Sequence, residues 1–194
     1  MKIKDIKNPQ SLESGAVDCE VLFFSMDEYL PYTATQEDTT RTGRQIWQEL
    51  QSGKWGKIAP FTVTPELITA AKDAKKREIE AWRAEQEAKP FTFEWNGRTW
   101  NGGPDSMARL YPAVMASKSD TARDVTVWGD ADNQQVKLSM PELEELAAAM
   151  ALTQVERNDD IYRRQREMKE ELNNLEDLRS IREMTINGQS EQEK

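Results

Sequence analysis

The longest stretch without glycine or proline runs from Glu142 to Asn187 in this 194-residue chain. A Ser-Met-Pro-Glu capping box at Ser139 opens it, and apolar residues then recur at helical spacing. The apolar residues are Leu143, Leu146, Met150, Val155, Met168, Leu172, Leu175, Leu178 and Ile181. One helix over this range would be about 65 Å long, since each residue adds 1.5 Å. The sequence predicts either a helix pair that breaks near Asn158–Asp160 or one helix that protrudes toward a partner.

Two β-hairpins are predicted before this helix. Alternating aromatic residues flank Asn96-Gly97, a dipeptide that accepts the positive φ angles of a type I′ turn. If these two residues form the loop, Trp95 lies opposite Arg98. A second hairpin is predicted from Val125–Trp128 and Val136–Leu138.

The first part of the chain predicts a small α/β module. The apolar run Cys19–Phe24 indicates a strand, and the polar residues Asn8–Ser11 before it indicate a loop. Thr33–Asp38 offer an N-cap and first turn for a helix with an apolar stripe. That helix is expected to end near Gly53.

The segment 63–89 is rich in Ala, Lys, Glu and Arg and has few apolar residues, so it predicts a charged linker helix. The sequence as a whole therefore predicts an α+β fold in three parts. These are an N-terminal α/β module (1–62), the linker helix (63–89), and a module of two hairpins with the long C-terminal helix (90–194). The polar tail from Asn187 is predicted to be disordered.

The composition disfavours an enzyme. The chain has no histidine and a single cysteine, Cys19. Imidazole bases, Ser-His-Asp triads and His-containing zinc sites are therefore excluded, and one cysteine cannot form an internal disulfide or a thiolate cluster. Adjacent acids such as Asp159-Asp160 diverge by about 100° on a helix and do not converge on one substrate atom. We expect no catalytic residue, no cofactor and no metal.

One acidic segment resembles a calcium loop at its start. Asp130-Ala-Asp132-Asn133 has the opening spacing of an EF-hand loop. Gln135 stands where that loop needs glycine, and Pro141 stands where it needs a bidentate glutamate. The segment therefore predicts an Asx-rich hairpin turn.

Charge and hydropathy limit the possible partners. The net charge is -9, from 35 acidic and 26 basic residues, which disfavours nucleic-acid binding. An acidic mimic of DNA is also disfavoured, because the basic residues are interleaved with the acids. No segment approaches the roughly 18 apolar residues that span a bilayer, so we expect no membrane contact and folding in a reducing cytoplasm.

The six tryptophans and the long helix supply the candidate interaction residues. Few apolar residues lie near Trp55 and Trp82 in the sequence. Each of these two tryptophans is therefore as consistent with a protein interface as with a core. Trp47 and Trp55 are together predicted to form one contact region for a partner. The second half of the long helix adds an apolar stripe that could face a fibre or a second copy of the chain. Its members are Met168, Leu172, Leu175, Leu178 and Ile181.

Two regions resemble tailed-bacteriophage tail-fibre assembly and tail-associated proteins. The N-terminal resemblance lies in Tyr29–Asp38, Gly43–Trp47 and Gly53–Pro60. The C-terminal one lies in Phe93–Trp100 and in Val127–Asn133 with the helix start that follows, and it is similar to an uncharacterised phage domain found beside tail-fibre genes.

The resemblance implies a noncatalytic tail-fibre assembly chaperone or a fibre-tip-associated binding protein. The alternative is a permanent structural subunit of the tail, baseplate or capsid. Implied partners are a tail fibre or another tail protein, with a homo-oligomer through the long helix as a further expectation. The implied location is the host cytoplasm during assembly, or the virion tail.

Overall fold

A computed structural model describes residues 2–119 and 125–187 of the chain. The fold is α+β, as predicted, with antiparallel hairpins and a long C-terminal helix. The chain divides into two compact units, Met1–Thr64 and Pro65–Lys194. The tail predicted to be disordered begins at Asn187, which is described and accepts hydrogen bonds from Arg164, while residues 188–194 lie outside the described residues.

The first unit is a three-stranded antiparallel sheet followed by one helix. Strands β1 (Ile3–Ser11), β2 (Val17–Phe23) and β3 (Leu30–Ala34) pair in that order, and helix α1 (Arg41–Gln51) follows. Sheet and helix share one apolar core. Its buried members are Ile3, Ile6, Val17, Cys19, Val21, Phe23, Ala34, Ile46 and Leu50. The strand predicted at Cys19–Phe24 is confirmed as most of β2.

The polar segment Asn8–Ser11 forms the end of β1, so its prediction as a loop is wrong. Asn8 has a φ of 53°, and the pairing of β1 with β2 shifts register between Lys7 and Gln10. This irregularity is a β-bulge, which lets a polar segment stay in a strand. Asn8 also donates to the Glu20 carboxylate at 2.6 Å.

Helix α1 starts later than predicted, because Thr33 and Ala34 belong to β3. Its N-cap is Thr40, whose hydroxyl accepts from the Gly43 amide at 2.9 Å. Asp38 accepts from the Thr40 amide and hydroxyl, both at 2.8 Å. A Cβ atom at position 43 would lie 2.1 Å from the Asp38 carboxyl carbon, so any side chain there would displace the Asp38 carboxylate from this cap.

The second unit begins with helix α2 (Pro65–Ala88) and two elements that form a hairpin. Strand β4 (Phe91–Trp95) pairs with β5 (Arg98–Gly102), with Trp95 opposite Arg98 as predicted. Asn96 and Gly97 have φ angles of 51° and 72°, the left-handed values that the predicted turn needs.

Helix α3 (Pro104–Ser117) and a second hairpin come next. Strands β6 (Val125–Gly129) and β7 (Gln135–Ser139) pair antiparallel and lead into helix α4 (Met140–Asn174). The predicted capping box is confirmed: Ser139 accepts from the Glu142 amide, and the Glu142 carboxylate accepts from the Ser139 amide.

The hairpins, α3 and the start of α4 share a core. Its buried members are Phe93, Trp100, Leu110, Leu138, Leu143, Leu146 and Met150. Trp100 is 1% exposed, and Trp95 and Trp128 pack against the cluster as partly buried residues. These three tryptophans therefore belong to the core of the second unit.

Helix α4 continues unbroken through Asn158–Asp160, so of the two alternatives that the sequence left open the break does not occur. Asn158 accepts a hydrogen bond from Gln154 at 2.9 Å, one turn earlier, which supports the helix at this polar patch. The chain leaves the helix after Asn174 and forms a short helix α5 (Leu178–Glu183). Asp177 caps α5 by accepting from the Ser180 amide.

Helix α2 belongs to the second unit and packs against α4 and α5, although the sequence predicted a separate linker helix at residues 63–89. Lys72 donates to the Asn173 carbonyl at 3.1 Å, and Arg157 donates to the Gln86 carbonyl at 3.2 Å. Early residues of α2 thus lie beside late residues of α4, so the two helices run antiparallel. Ile79 is fully buried in this layer.

Candidate interaction site

The apolar stripe predicted on the second half of the long helix does not form a surface. Met168, Leu172 and Ile181 are 0% exposed and Leu178 is 4% exposed, while Leu175 is half-buried. The antiparallel packing of α2 on α4 and α5 buries these residues inside the unit. In this fold these residues stabilise the second unit.

Trp47 and Trp55 both pack against the core of the first unit. Both are half-buried and pack against the cluster formed by the sheet and α1. The Trp55 indole donates to the Glu49 carboxylate at 2.8 Å, and the Lys54 ammonium lies 4.7 Å from its ring centroid. The indole edge is therefore held in place, and one part of each ring remains accessible.

The Glu49 carboxylate has a lowered pKa. Partial burial acts to raise it, but hydrogen bonds from Gln45, Lys54 and Trp55 outweigh the burial. Glu49 is therefore ionised at neutral pH and orients both Lys54 and Trp55.

Cys19 lies in the core of the first unit and is 5% exposed. Burial, together with the charge of Asp18, raises the pKa of its thiol to about 11. The thiol is therefore protonated at neutral pH, as expected for an inert core cysteine.

Trp82 lies on α2 at the edge of a cavity of about 420 Å³ between α2 and α4. The indole is half-buried. The cavity combines an aromatic ring, amide and hydroxyl groups, two guanidinium groups and two carboxylates. Its lining residues are Trp82, Gln86, Thr153, Glu156, Arg157, Asp160, Ile161 and Arg164. We call this cavity the α2–α4 cavity.

Arg157 has unused hydrogen-bonding capacity at the α2–α4 cavity. One terminal nitrogen donates to the Gln86 carbonyl at 3.2 Å, and the guanidinium carbon lies 5.7 Å from the Phe91 ring centroid. Its Nε is buried and has no hydrogen-bond partner among the described residues. An unpaired buried donor costs roughly 1–3 kcal/mol, so this arginine is held at some cost to stability.

The Arg164 guanidinium has more hydrogen-bond and ion-pair partners than that of Arg157. Its guanidinium donates to both the carbonyl and the side-chain oxygen of Asn187, at 3.1 and 3.2 Å. It also forms ion pairs with Glu167 and Glu171, at 3.3 and 2.8 Å. The side chain is 7% exposed, so Arg164 forms a fixed wall of the cavity.

The sequence analysis did not single out Arg157 or Arg164. Their signal is positional, because Met150, Arg157 and Arg164 follow one another at seven-residue spacing on the core-facing side of α4. From the sequence of α4 alone, a charged residue at such a position is indistinguishable from one on a solvent-exposed face. The two arginines were therefore missed.

A second cavity, of about 330 Å³, lies beside the turn between β6 and β7. Asp130 lines it and is 6% exposed. Its carboxylate accepts from the amides of Asp132 and Gln134 and from Arg98. Asp130 therefore organises the turn, as the Asx-rich reading of this segment predicted. Within residues 2–119 and 125–187, no group of three acidic or cysteine residues is placed to hold a metal ion.

No helix in the described part of the chain is both long enough and apolar enough to span a membrane.

The second unit defines an α+β architecture in which two hairpins and a short helix precede a long helix that carries a cavity. Residues 70–185, more than half of the chain, match the family described as Domain of unknown function (DUF4376), and the chain belongs to that family. No curated protein and no solved structure matches the chain significantly.

Proposed function

We propose that this chain is a noncatalytic binding protein that assists the assembly of a bacteriophage tail fibre or stays bound at its tip. The observation that carries the proposal is the α2–α4 cavity, where Trp82 and Arg157 stand together at an open site. Tryptophan and arginine are the residue types that most often dominate protein interfaces.

The chemistry of the cavity suits a side chain from another protein. The Trp82 ring offers an apolar face, and the Arg157 guanidinium that lines the cavity supplies N–H donors suited to a carbonyl or carboxylate. Glu156 and Asp160 balance the charge of the two arginines. A partner group that combines an apolar body with one acceptor therefore fits better than a strongly charged ligand.

The phage context rests on the resemblance of Gly43–Trp47, Phe93–Trp100 and the neighbouring segments to tail-fibre assembly proteins. In that context the protein acts in the host cytoplasm, on a tail fibre or another tail protein. The family itself carries no functional description.

The test is co-expression with a tail-fibre protein from the same genome. We expect the fibre to become soluble and to co-purify with the full chain. Replacement Trp82→Ala should weaken binding about tenfold or more, as expected for an aromatic anchor. Tyr111→Ala is the matched control, because Tyr111 is 61% exposed on α3 of the same unit and lies outside the cavity.

Circular dichroism establishes that each variant is folded, and Arg157→Gln provides a second variant at the same site. A fibre that folds and is captured equally by wild type and both cavity variants would refute the proposed site. A fibre that neither binds nor depends on the chain would refute the proposed function. Mass spectrometry of purified particles separates a transient chaperone, which is absent, from a permanent virion subunit, which is stoichiometric.

A further inference from the structure

The cavity of about 330 Å³ beside the β6–β7 turn lies where three parts of the second unit meet. These parts are strand β5, the first two turns of α3, and the end of β6 with the turn that follows it. We call this cavity the turn cavity. Its polar and aromatic lining residues are Asn101, Ser106, Arg109, Trp128, Asp130 and Asn133.

Ser106 is a buried side chain of the turn cavity with an unmade hydrogen bond. It is 9% exposed, and its hydroxyl oxygen accepts from the Arg109 guanidinium at 3.5 Å, which is long for a hydrogen bond. The hydroxyl proton has no acceptor among the described residues. Buried polar groups normally have partners, and Ser106 lines the cavity, so an acceptor from a bound ligand would complete its hydrogen bonding.

Two asparagine side chains at the turn cavity are also uncommitted. Asn101 and Asn133 are exposed, and within residues 2–119 and 125–187 neither side-chain amide forms a hydrogen bond. The left-handed φ of Asn133, 59°, accounts for an asparagine at that turn position. Asn101 has no such account, because it lies in strand β5, where asparagine is disfavoured. Each amide offers one acceptor oxygen and two donor hydrogens to a ligand.

The charges around the turn cavity nearly cancel. Arg109 is exposed and has no carboxylate within ion-pair distance in the described part of the chain. The Asp130 carboxylate is 4% exposed and already accepts from Arg98 and from two backbone amides. Two further acids, Asp105 and Asp132, are exposed next to lining residues in the chain. With two arginines against three aspartates, neither an anion nor a cation is favoured, and a neutral polar ligand fits best.

We propose that the turn cavity binds one ring of a neutral sugar. Each sugar hydroxyl both donates and accepts, as do the amide groups of Asn101 and Asn133 and the hydroxyl of Ser106. The planar guanidinium of Arg109 presents parallel N–H donors that suit two adjacent hydroxyl oxygens. A peptide group has one donor and one acceptor, so it would leave more of these side-chain groups unpaired.

The Trp128 indole supplies the apolar part of this site. It is half-buried, packs against the core of the second unit and also lines the turn cavity. The face of an aromatic ring is negative, so it attracts the weakly positive C–H groups of a sugar ring. The cavity volume is at the lower end of the roughly 300–1,000 Å³ of small-molecule sites, so it suits a single ring.

Nuclear magnetic resonance titration of the isotope-labelled full chain tests the proposal. The probes are the methyl glycosides of glucose, galactose, mannose and N-acetylglucosamine. We expect at least one of them to shift the Trp128 indole signal and the side-chain signals of Asn101 and Asn133 in a saturable way. Since a single ring buries little surface, we expect dissociation constants in the millimolar range. Spectra that none of these glycosides changes would overturn the proposal.

Two variants test the lining residues. Arg109→Ala removes the guanidinium, and Asn133→Gly removes the amide while keeping the left-handed backbone. Arg109→Ala should weaken sugar binding about tenfold and Asn133→Gly about threefold, because hydrogen bonds from a charged donor are the stronger ones. Arg163→Ala is the matched control, since Arg163 is 65% exposed on α4 and does not line the turn cavity. A dissociation constant that neither cavity variant changes would also overturn the proposal.

Two further probes distinguish other ligand classes. Inorganic phosphate tests for an anion site, and N-acetylalanine methylamide tests for a peptide site. If either probe shifts the same signals at a lower concentration than every glycoside, the turn cavity is not a sugar site and the proposal fails. None of these titrations uses a fibre, so their outcome is independent of the proposed function.

Discussion

Single side chains in this protein fix turns and helix ends. Asp130 is one of them, because its carboxylate accepts several hydrogen bonds at one turn. Its carboxylate accepts hydrogen bonds from the amides of Asp132 and Gln134 at 3.0 and 2.8 Å and from Arg98 at 2.8 Å. The side chain is 4% exposed. One residue thereby ties the β6–β7 turn to strand β5.

We predict that Asp130 makes stability depend on pH in the acidic range. The Gln134 amide, with Arg98 and the Asp132 amide, holds the Asp130 pKa below its ordinary value against the effect of burial. A lowered pKa gives stability that is present above the ordinary carboxyl pKa and is lost as the pH falls through the lowered one. Urea-unfolding midpoints measured from about pH 5 to pH 2 should therefore fall more steeply for wild type than for Asp130→Asn.

Asp132→Asn is the control for this measurement, because Asp132 is an exposed residue of the same turn. Its profile should follow that of wild type. Equal slopes for wild type and Asp130→Asn would show that the carboxylate charge contributes nothing to the fold.

At the scale of elements, α2 depends on a thin apolar contact. Its fully buried residues are Ala71 and Ile79, on a helix of 24 residues that is otherwise polar or partly exposed. Packing against α4 and α5 is therefore concentrated at a few positions, and each of them matters more than in a helix with a full apolar stripe.

We predict that Ile79→Ala lowers the free energy of unfolding of the second unit by about 2–5 kcal/mol, because it leaves a cavity in a layer with few other apolar contacts. Ile79→Val removes a single methylene and should cost only about 0.5–1.5 kcal/mol. Urea denaturation followed by circular dichroism measures both. Equal, small losses for the two variants would mean that α2 contributes little to the unit.

The elements that the sequence predicted correctly are those with local signals. Asn96-Gly97 determines its hairpin register, and the Ser139–Glu142 box determines where α4 begins. The bulge at Asn8 and the packing of α2 were missed, since both depend on contacts with residues distant in sequence. The candidate site was predicted only at Trp82, because the importance of Arg157 arises from the neighbouring helix.

At the scale of the whole molecule, each unit has a core of its own. The first unit buries residues of the sheet and α1, including Ile46, and the second buries residues of its hairpins and helices, including Ile79. A domain with its own core can fold without help from the rest of the chain. The low apolar content of the sequence, 37%, is thus divided between two small cores, which are both expected to be marginally stable.

We therefore predict that the two units unfold separately within the full chain. Ile46→Ala should lower the stability of the first unit by about 2–5 kcal/mol, since Ile46 is 0% exposed, and Ile79→Ala should act on the second unit alone. Hydrogen exchange followed by mass spectrometry reports both units in one sample. Ile46→Ala should speed exchange only in residues 1–64 and Ile79→Ala only in residues 65–194, each serving as the control for the other. If either change accelerates exchange across the whole chain, the two cores form one cooperative system, and a partner that stabilises one unit would then stabilise the other as well.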